Sequence, residues 1–95
     1  MSKSVSSAGV GDDTTHKLIE EGQALVRSMA GDFHRRFQRQ FDYDDLLAYG
    51  QVGLAQAARD FDPERGVRFT TFAYYRIRGG IYEGLSKLNW TSRAQ

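Results

Sequence analysis

The chain has 95 residues, of which 40% are hydrophobic and 26% charged, so it holds one small water-soluble domain and not two cores. It contains no cysteine, which excludes a disulfide scaffold and a thiolate zinc site, and its two histidines, His16 and His34, sit in no metal-ligand spacing. Net charge is only +1, yet residues 42–64 carry six acidic groups against Arg59, while residues 65–95 carry six basic groups against Glu83. An acidic middle and a basic end point to two partners of opposite character. Ten of the thirteen cations are arginine, the side chain suited to phosphate forks and to stacking on rings.

Residues 1–13 are small, polar and glycine-containing, and read as a disordered leader. They lack the apolar stretch of a secretory signal, and no apolar run approaches the roughly 18 residues of a bilayer span. A cytoplasmic protein with no membrane segment is therefore expected. The domain proper is expected over residues 14–88. Thr14 or Thr15 is placed to cap a first helix, in which Leu18, Leu25, Met29, Phe33 and Phe37 recur at steps of seven and four. Ile19, Val26 and Ala30 widen that stripe. The helix is expected to end near Gln40, and its glycines, Gly22 and Gly31, weaken it, which leaves room for fraying or a kink near Gly31.

Phe41-Asp42-Tyr43-Asp44-Asp45-Leu46 reads as the start of a second helix. Asp42 is the expected N-cap, acidic groups fill the first turn, and Phe41 staples Leu46. This helix runs through Leu47, Gly50, Gly53, Leu54, Ala57, Ala58 and Phe61, with small residues that let another backbone approach. Asp62-Pro63 stops it, because a residue before proline avoids the helical region. Pro63-Glu64-Arg65-Gly66 forms a turn, with Gly66 free to take a positive φ. A third helix follows, capped by Thr70 or Thr71. Its inner face is marked by Phe72, Ile77, Ile81 and Leu85, with either Tyr75 or Ala73 between, and Gly79-Gly80 weakens its middle. The chain trails off after Leu88, and residues 89–95 read as the start of a C-terminal linker. No segment alternates with period two for long. The expected fold is all-α, a small bundle of three main helices whose first is open to subdivision. Its core is expected from Leu18, Leu25, Met29, Phe33, Leu46, Leu54, Phe61, Phe72, Ile77 and Ile81.

Two constellations bear on function. From Arg68 to Arg78 the chain packs four aromatic rings (Phe69, Phe72, Tyr74, Tyr75) among three arginines. Single-stranded nucleic acid calls for this mixture, π-faces for bases and cations for phosphates. The same rings also suit a core helix with tyrosines at its rim, and Tyr74, Arg76 and Arg78 suit a solvated face; the clustering favours nucleic acid. The helix from Asp45 to Ala58, acidic at its start and rich in small residues, suits docking of another helix or simple bundle packing. Nothing points to an enzyme. Asp44/Asp45 and Asp60/Asp62 are explained by helix starts and ends, and no nucleophile, phosphate loop, cofactor or metal motif is present.

Asp45-Leu46-Leu47, Gly50, Gly53-Leu54, Ala57, Phe61-Asp62, Arg65-Gly66, Phe69-Thr70-Thr71-Phe72-Ala73 and Arg76-Ile77-Arg78-Gly79 follow a known pattern. Together they resemble region 2 of the bacterial sigma-70 family factors, over about residues 16–93. The string RIRGGIYEGL followed by Asn89-Trp90 is most similar to the flagellar and sporulation-type alternative factors. The resemblance implies transcription initiation without enzymatic activity or cofactor. One helix would dock on the β′ clamp helices of core RNA polymerase, and by motif position Asp45, Tyr49, Gln51, Leu54 and Ala55 fall on it. The next helix would recognise and melt the minus-ten promoter element, holding single-stranded non-template bases. Phe69, Thr71, Phe72, Tyr75 and Arg76 fall on that segment, with Arg68 and Arg78 as phosphate contacts or helix-positioning groups. The chain departs from the pattern at Ala48 and Tyr49, at Tyr75-Arg76 in place of the paired tryptophans of housekeeping factors, and at Asn89-Trp90-Thr91-Ser92-Arg93. It carries no counterpart of the family's second promoter-reading module, as expected of an excised domain or of a stand-alone region 2.

Two other readings use the same residues. A truncated sigma-like module would compete for core polymerase, or for an anti-sigma factor, without directing transcription; it needs only the Asp45–Ala58 surface. A general single-strand binder would accept scrambled sequences and show a steep salt dependence.

Overall fold

A computed structural model of the chain describes residues 14–37 and 40–94, with side chains through residue 87. The expected leader over 1–13, and the side chains of the motif at 89–93, lie outside the described residues. The described chain is all-α. Helix α1 spans residues 14–21, α2 Gln23–Arg36, α3 Tyr43–Asp60 and α4 Phe69–Ala94, with one 3-10 turn, Pro63–Arg65, between α3 and α4.

Helices α1 and α2 are the expected first helix, divided at Gly22 and not at Gly31. Hydrogen bonding continues across the division: the Gly22 N–H donates to the Leu18 carbonyl (3.0 Å), and the Val26 N–H to that of Gly22 (3.0 Å). Gly22 lies against the Leu54 side chain so closely that a Cβ there would overlap it. Helix α2 runs unbroken through Gly31 and ends at Arg36, earlier than Gln40. His34, Arg35 and Arg36 fill its last turn, where the helix dipole favours cations.

Helix α3 starts as expected after an extended Asp42, with Asp44 and Asp45 in its first turn. Asp42 does not cap with its side chain; its carbonyl accepts from the Leu46 N–H (3.1 Å). The Phe41 ring packs edge-on against Phe37, 5.9 Å between centroids. Extended Phe61 and Asp62 end the helix before Pro63. The Asp62 carboxylate then accepts from the Glu64 N–H (3.0 Å), and Gly66 closes the turn at φ 78°, a left-handed conformation that costs other residues about 1–2 kcal/mol. Helix α4 begins at Phe69, ahead of both threonines, because the Arg68 carbonyl already accepts from the Phe72 N–H (3.1 Å). It continues through Gly79-Gly80 and past Leu88 to Ala94.

The core forms where the three long helices meet: Val26, Met29, Ala30 and Phe33 of α2; Leu46, Leu54, Ala57 and Ala58 of α3; Phe69, Ala73, Ile77, Ile81 and Leu85 of α4. Leu18, Leu25, Phe61 and Phe72, expected inside, are half-buried at its edge. Helix α2 is turned so that Val26, not Leu25, points inward. On α4 it is Ala73 that packs inside, while Tyr75 is 64% exposed.

Helices α3 and α4 make the closest approach in the fold. A Cβ on Gly53 would overlap the Arg76 carbonyl oxygen and lie 2.8 Å from the Ile77 Cα. A Cβ on Gly80 would lie 2.8 Å from the Tyr49 carbonyl oxygen. The Gly53 and Gly80 positions thus let backbone rest on backbone, and this crossing fixes how the outer faces of the two helices sit relative to each other. Among the described residues no helix is long and apolar enough to cross a membrane.

Candidate functional site

The outer face of α3 carries Asp45, Ala48, Val52, Ala55 and Arg59, all exposed and spaced at three and four residues, which is one helical stripe. Of the five expected docking residues, two, Asp45 and Ala55, lie on this stripe. Tyr49 is half-buried at its side, with its ring against Gly84, where a Cβ would collide with it. Gln51 is half-buried and engaged: its Nε2 donates to Gln23 Oε1 (2.7 Å), and Gln23 Nε2 donates back to Gln51 Oε1 (3.1 Å). This reciprocal amide pair ties α2 to α3. Leu54 is fully buried, so it offers no surface to a partner and belongs to the core.

Val52, which is 55% exposed, was missed by the sequence reading. The signal was present. A residue two positions before Leu54 points away from the stripe of Leu46, Gly50, Leu54 and Ala57, so an apolar β-branched residue there faces solvent. A large exposed aliphatic side chain between Ala48 and Ala55 is an apolar centre with an acidic rim at Asp44 and Asp45.

The second surface belongs to the first half of α4. Arg68, Thr71, Tyr75 and Arg78 are exposed. Tyr74 and Tyr75 meet edge to face, 5.2 Å between centroids. The Arg78 guanidinium lies 5.2 Å over the Tyr82 ring. Phe69 is the correction here: it is 7% exposed, and its ring packs edge-on against Phe61 at 5.2 Å, so it supports the surface from behind and cannot reach a nucleic acid. Phe72 and Arg76 are half-buried, and they line a recess of about 360 Å³ between the end of α3, the 3-10 turn and α4.

Phe61, Val67 and Phe72 make the apolar wall of this recess, and two ion pairs make its rim. Arg76 Nη1 donates to Asp60 Oδ2 at 3.0 Å, and Arg65 Nε lies 3.8 Å from Asp62 Oδ2. Arg76 also covers the Phe72 ring, its guanidinium carbon 4.9 Å from the centroid. Hydrogen bonds from Arg59 and then Arg76 hold the Asp60 carboxyl below its ordinary pKa of 3.8. The recess is therefore aromatic, edged by donors, and close to neutral in charge. Among the described residues no cluster of histidine and acidic side chains suits a metal ion.

Comparison with known proteins identifies the family. The family described as Sigma-70 region 2 matches residues 18–91. The RNA polymerase sigma-D factor of Bacillus subtilis is 37% identical over 83 residues, covering 87% of this chain and 31% of that protein. The RNA polymerase sigma factor FliA of Escherichia coli K12 is 35% identical over 79 residues, covering 83% of this chain and 33% of that protein. The RNA polymerase sigma factor SigA2 of Synechococcus elongatus is 32% identical over 83 residues, covering 87% and 25%. The chain thus spans a third or less of the length of these relatives. With most of its residues matched and its helices placed as described, the chain belongs to the sigma-70 region 2 family.

Proposed function

We propose that this domain acts in transcription initiation, as the part of a sigma factor that docks on core RNA polymerase and opens promoter DNA at the minus-ten element. One observation carries the reading: two adjoining helices present surfaces of opposite chemistry, held together by a backbone-on-backbone crossing. The α3 stripe offers Val52 and Ala55 as an apolar centre, with Asp45 at its edge and Tyr49 at its side. That combination suits a basic, helical partner surface, for which the β′ clamp helices are the proposed partner. Gln51 acts through Gln23, keeping α3 in place, and Leu54 acts from the core.

The α4 surface takes the DNA. Arg68 and Arg78 bind phosphates of the non-template strand, which positions the strand without reading it. An extruded base enters the recess against its apolar wall of Phe61, Val67 and Phe72, with Arg76 at the edge, while Tyr75 and Thr71 are exposed on the same helix. Unpairing and unstacking a base costs a few kcal/mol, and stacking on an aromatic side chain returns about 1–3 kcal/mol per base. A recess of about 360 Å³ is in the size range of small-molecule sites and admits one planar heterocycle. No covalent step is involved. The rigid crossing at Gly53 matters because melting needs the strand held at a fixed place relative to the polymerase.

The direct test mixes the chain with core RNA polymerase and a promoter fork whose minus-ten non-template strand is single-stranded. A ternary complex is expected that forms with neither a scrambled fork nor the fork without polymerase at the same concentration. Failure to bind either polymerase or fork would end this reading.

A further inference from the structure

We propose that Asp60 is a positioning residue that sets what the recess accepts. By pairing with Arg76 it keeps that guanidinium over Phe72 and away from phosphate, so the recess takes an unpaired base and not any stretch of backbone. This rests on the base-capture reading, and the experiment below separates the two.

Asp60 is the last residue of α3, and each of its oxygens is committed to its own arginine. Oδ1 accepts from Arg59 Nε at 3.1 Å, and Oδ2 from Arg76 Nη1 at 3.0 Å. The Asp60 and Arg76 side chains are 38% and 39% exposed, against 70% for Arg59, so their contact sits half-sheltered at the recess edge. With one nitrogen on Asp60, the Arg76 guanidinium carbon lies 4.9 Å from the centroid of the Phe72 ring. Among the described residues, Arg68 and Arg78 meet no carboxylate at ion-pair distance.

The three arginines of α4's first half therefore divide into two kinds. Arg68 and Arg78 keep their full charge for the backbone. Arg76 is tied to the Asp60 carboxylate, which it shares with Arg59, and keeps its remaining donors. An unpaired guanidinium at that point would gather a phosphate, and phosphate contacts bring affinity without selectivity. Because Asp60 comes from α3, the device also fixes Arg76 to the helix that faces the polymerase.

The test uses the full chain and two fluorescent single-stranded DNA probes of equal length, a random-sequence pool and a fully abasic strand, in anisotropy titrations across a salt series. The unsubstituted chain is expected to bind the base-containing pool several-fold better than the abasic strand. Asp60→Ala is expected to raise affinity for the abasic strand about three-fold, and to steepen the dependence of log K on log salt by about 0.7, the value of one added single-strand phosphate. The preference for bases falls accordingly. Asp60→Glu is expected to restore the original slope. In an Arg76→Ala background, Asp60→Ala is expected to leave the slope unchanged, which a general change in protein charge would not do. An unchanged slope and base preference in Asp60→Ala would overturn the proposal, and so would a shift that persists without Arg76. Equal binding of both probes by the unsubstituted chain would remove base capture itself, and the proposal with it.

Discussion

Gly53→Ala is expected to lower the melting temperature of the domain by roughly 10 °C or more. The new Cβ meets the Arg76 carbonyl and the Ile77 Cα, which are backbone atoms of α4 and cannot swing aside as a side chain can. Overpacking costs about 1–3 kcal/mol where side chains yield, and a domain of this size loses about 4–8 °C per kcal/mol. Gly79→Ala is the matched control. It lies in the same helix pairing region, but a Cβ there meets nothing within 4 Å. Removing a helix-interior glycine there is expected to raise stability by about 0.5–1 kcal/mol. Thermal unfolding followed by far-ultraviolet circular dichroism reads both. Equal melting curves for Gly53→Ala and the unsubstituted chain would mean that the helices do not cross as described.

Tyr75→Ala is expected to weaken binding of the minus-ten non-template strand by roughly 5- to 150-fold, the loss of one stacking platform of about 1–3 kcal/mol. Its melting temperature should stay close to that of the unsubstituted chain, because the ring is 64% exposed and meets only the edge of Tyr74. Phe72→Ala should lose strand binding too, but with a fall in stability, since Phe72 packs against Phe61 at 5.8 Å between centroids and carries Arg76 on its face. Anisotropy on the isolated strand, read beside the melting curves, separates the two variants. Undiminished strand binding by Tyr75→Ala would take the DNA surface away from this side of α4. Polymerase docking by the unsubstituted chain with no promoter opening, unaffected by the Phe72 and Tyr75 substitutions, would instead fit a purely competitive module.

Helix α3 was legible from the residues because independent signals agreed. Asp44 and Asp45 suit a helix start, Gly50, Gly53 and Ala57 suit a close crossing, and the residue before Pro63 suits an end. The close contact of Gly22 with Leu54 was not legible, because Leu54 lies far along the chain. Ala73 and Tyr75 stood as alternatives because Tyr75 lies three residues after Phe72 and Ala73 four before Ile77; two residues apart they point to opposite faces, and Ala73 is the one that shares the buried face of Ile77 and Ile81.

The site was legible in outline and less so in orientation. A family pattern carries positions across, not the direction each side chain faces, and that is why Leu54 and Phe69 stood among the contact residues although both are buried. The rim of the recess depends on Asp60 and Arg76, sixteen positions apart, and no local pattern announces such a pair. Asp60 looked like an ordinary helix-end acid in sequence. The Gln23–Gln51 amide pair escaped for the same reason, its partners lying 28 positions apart.

The central claim is that the exposed stripe of α3 docks on RNA polymerase. The most direct measurement is binding of the full chain to purified core enzyme, compared with Val52→Arg. Val52 is exposed and outside the core, so the variant should fold and melt normally. If Val52 sits at the centre of the docking surface, a buried unpaired charge there costs at least about 2 kcal/mol, a loss of roughly 30-fold or more in affinity. Specific binding by the unsubstituted chain, lost in Val52→Arg with its helical signal and melting temperature unchanged, is the predicted result. Undiminished binding by Val52→Arg, or no binding by the unsubstituted chain, would contradict it.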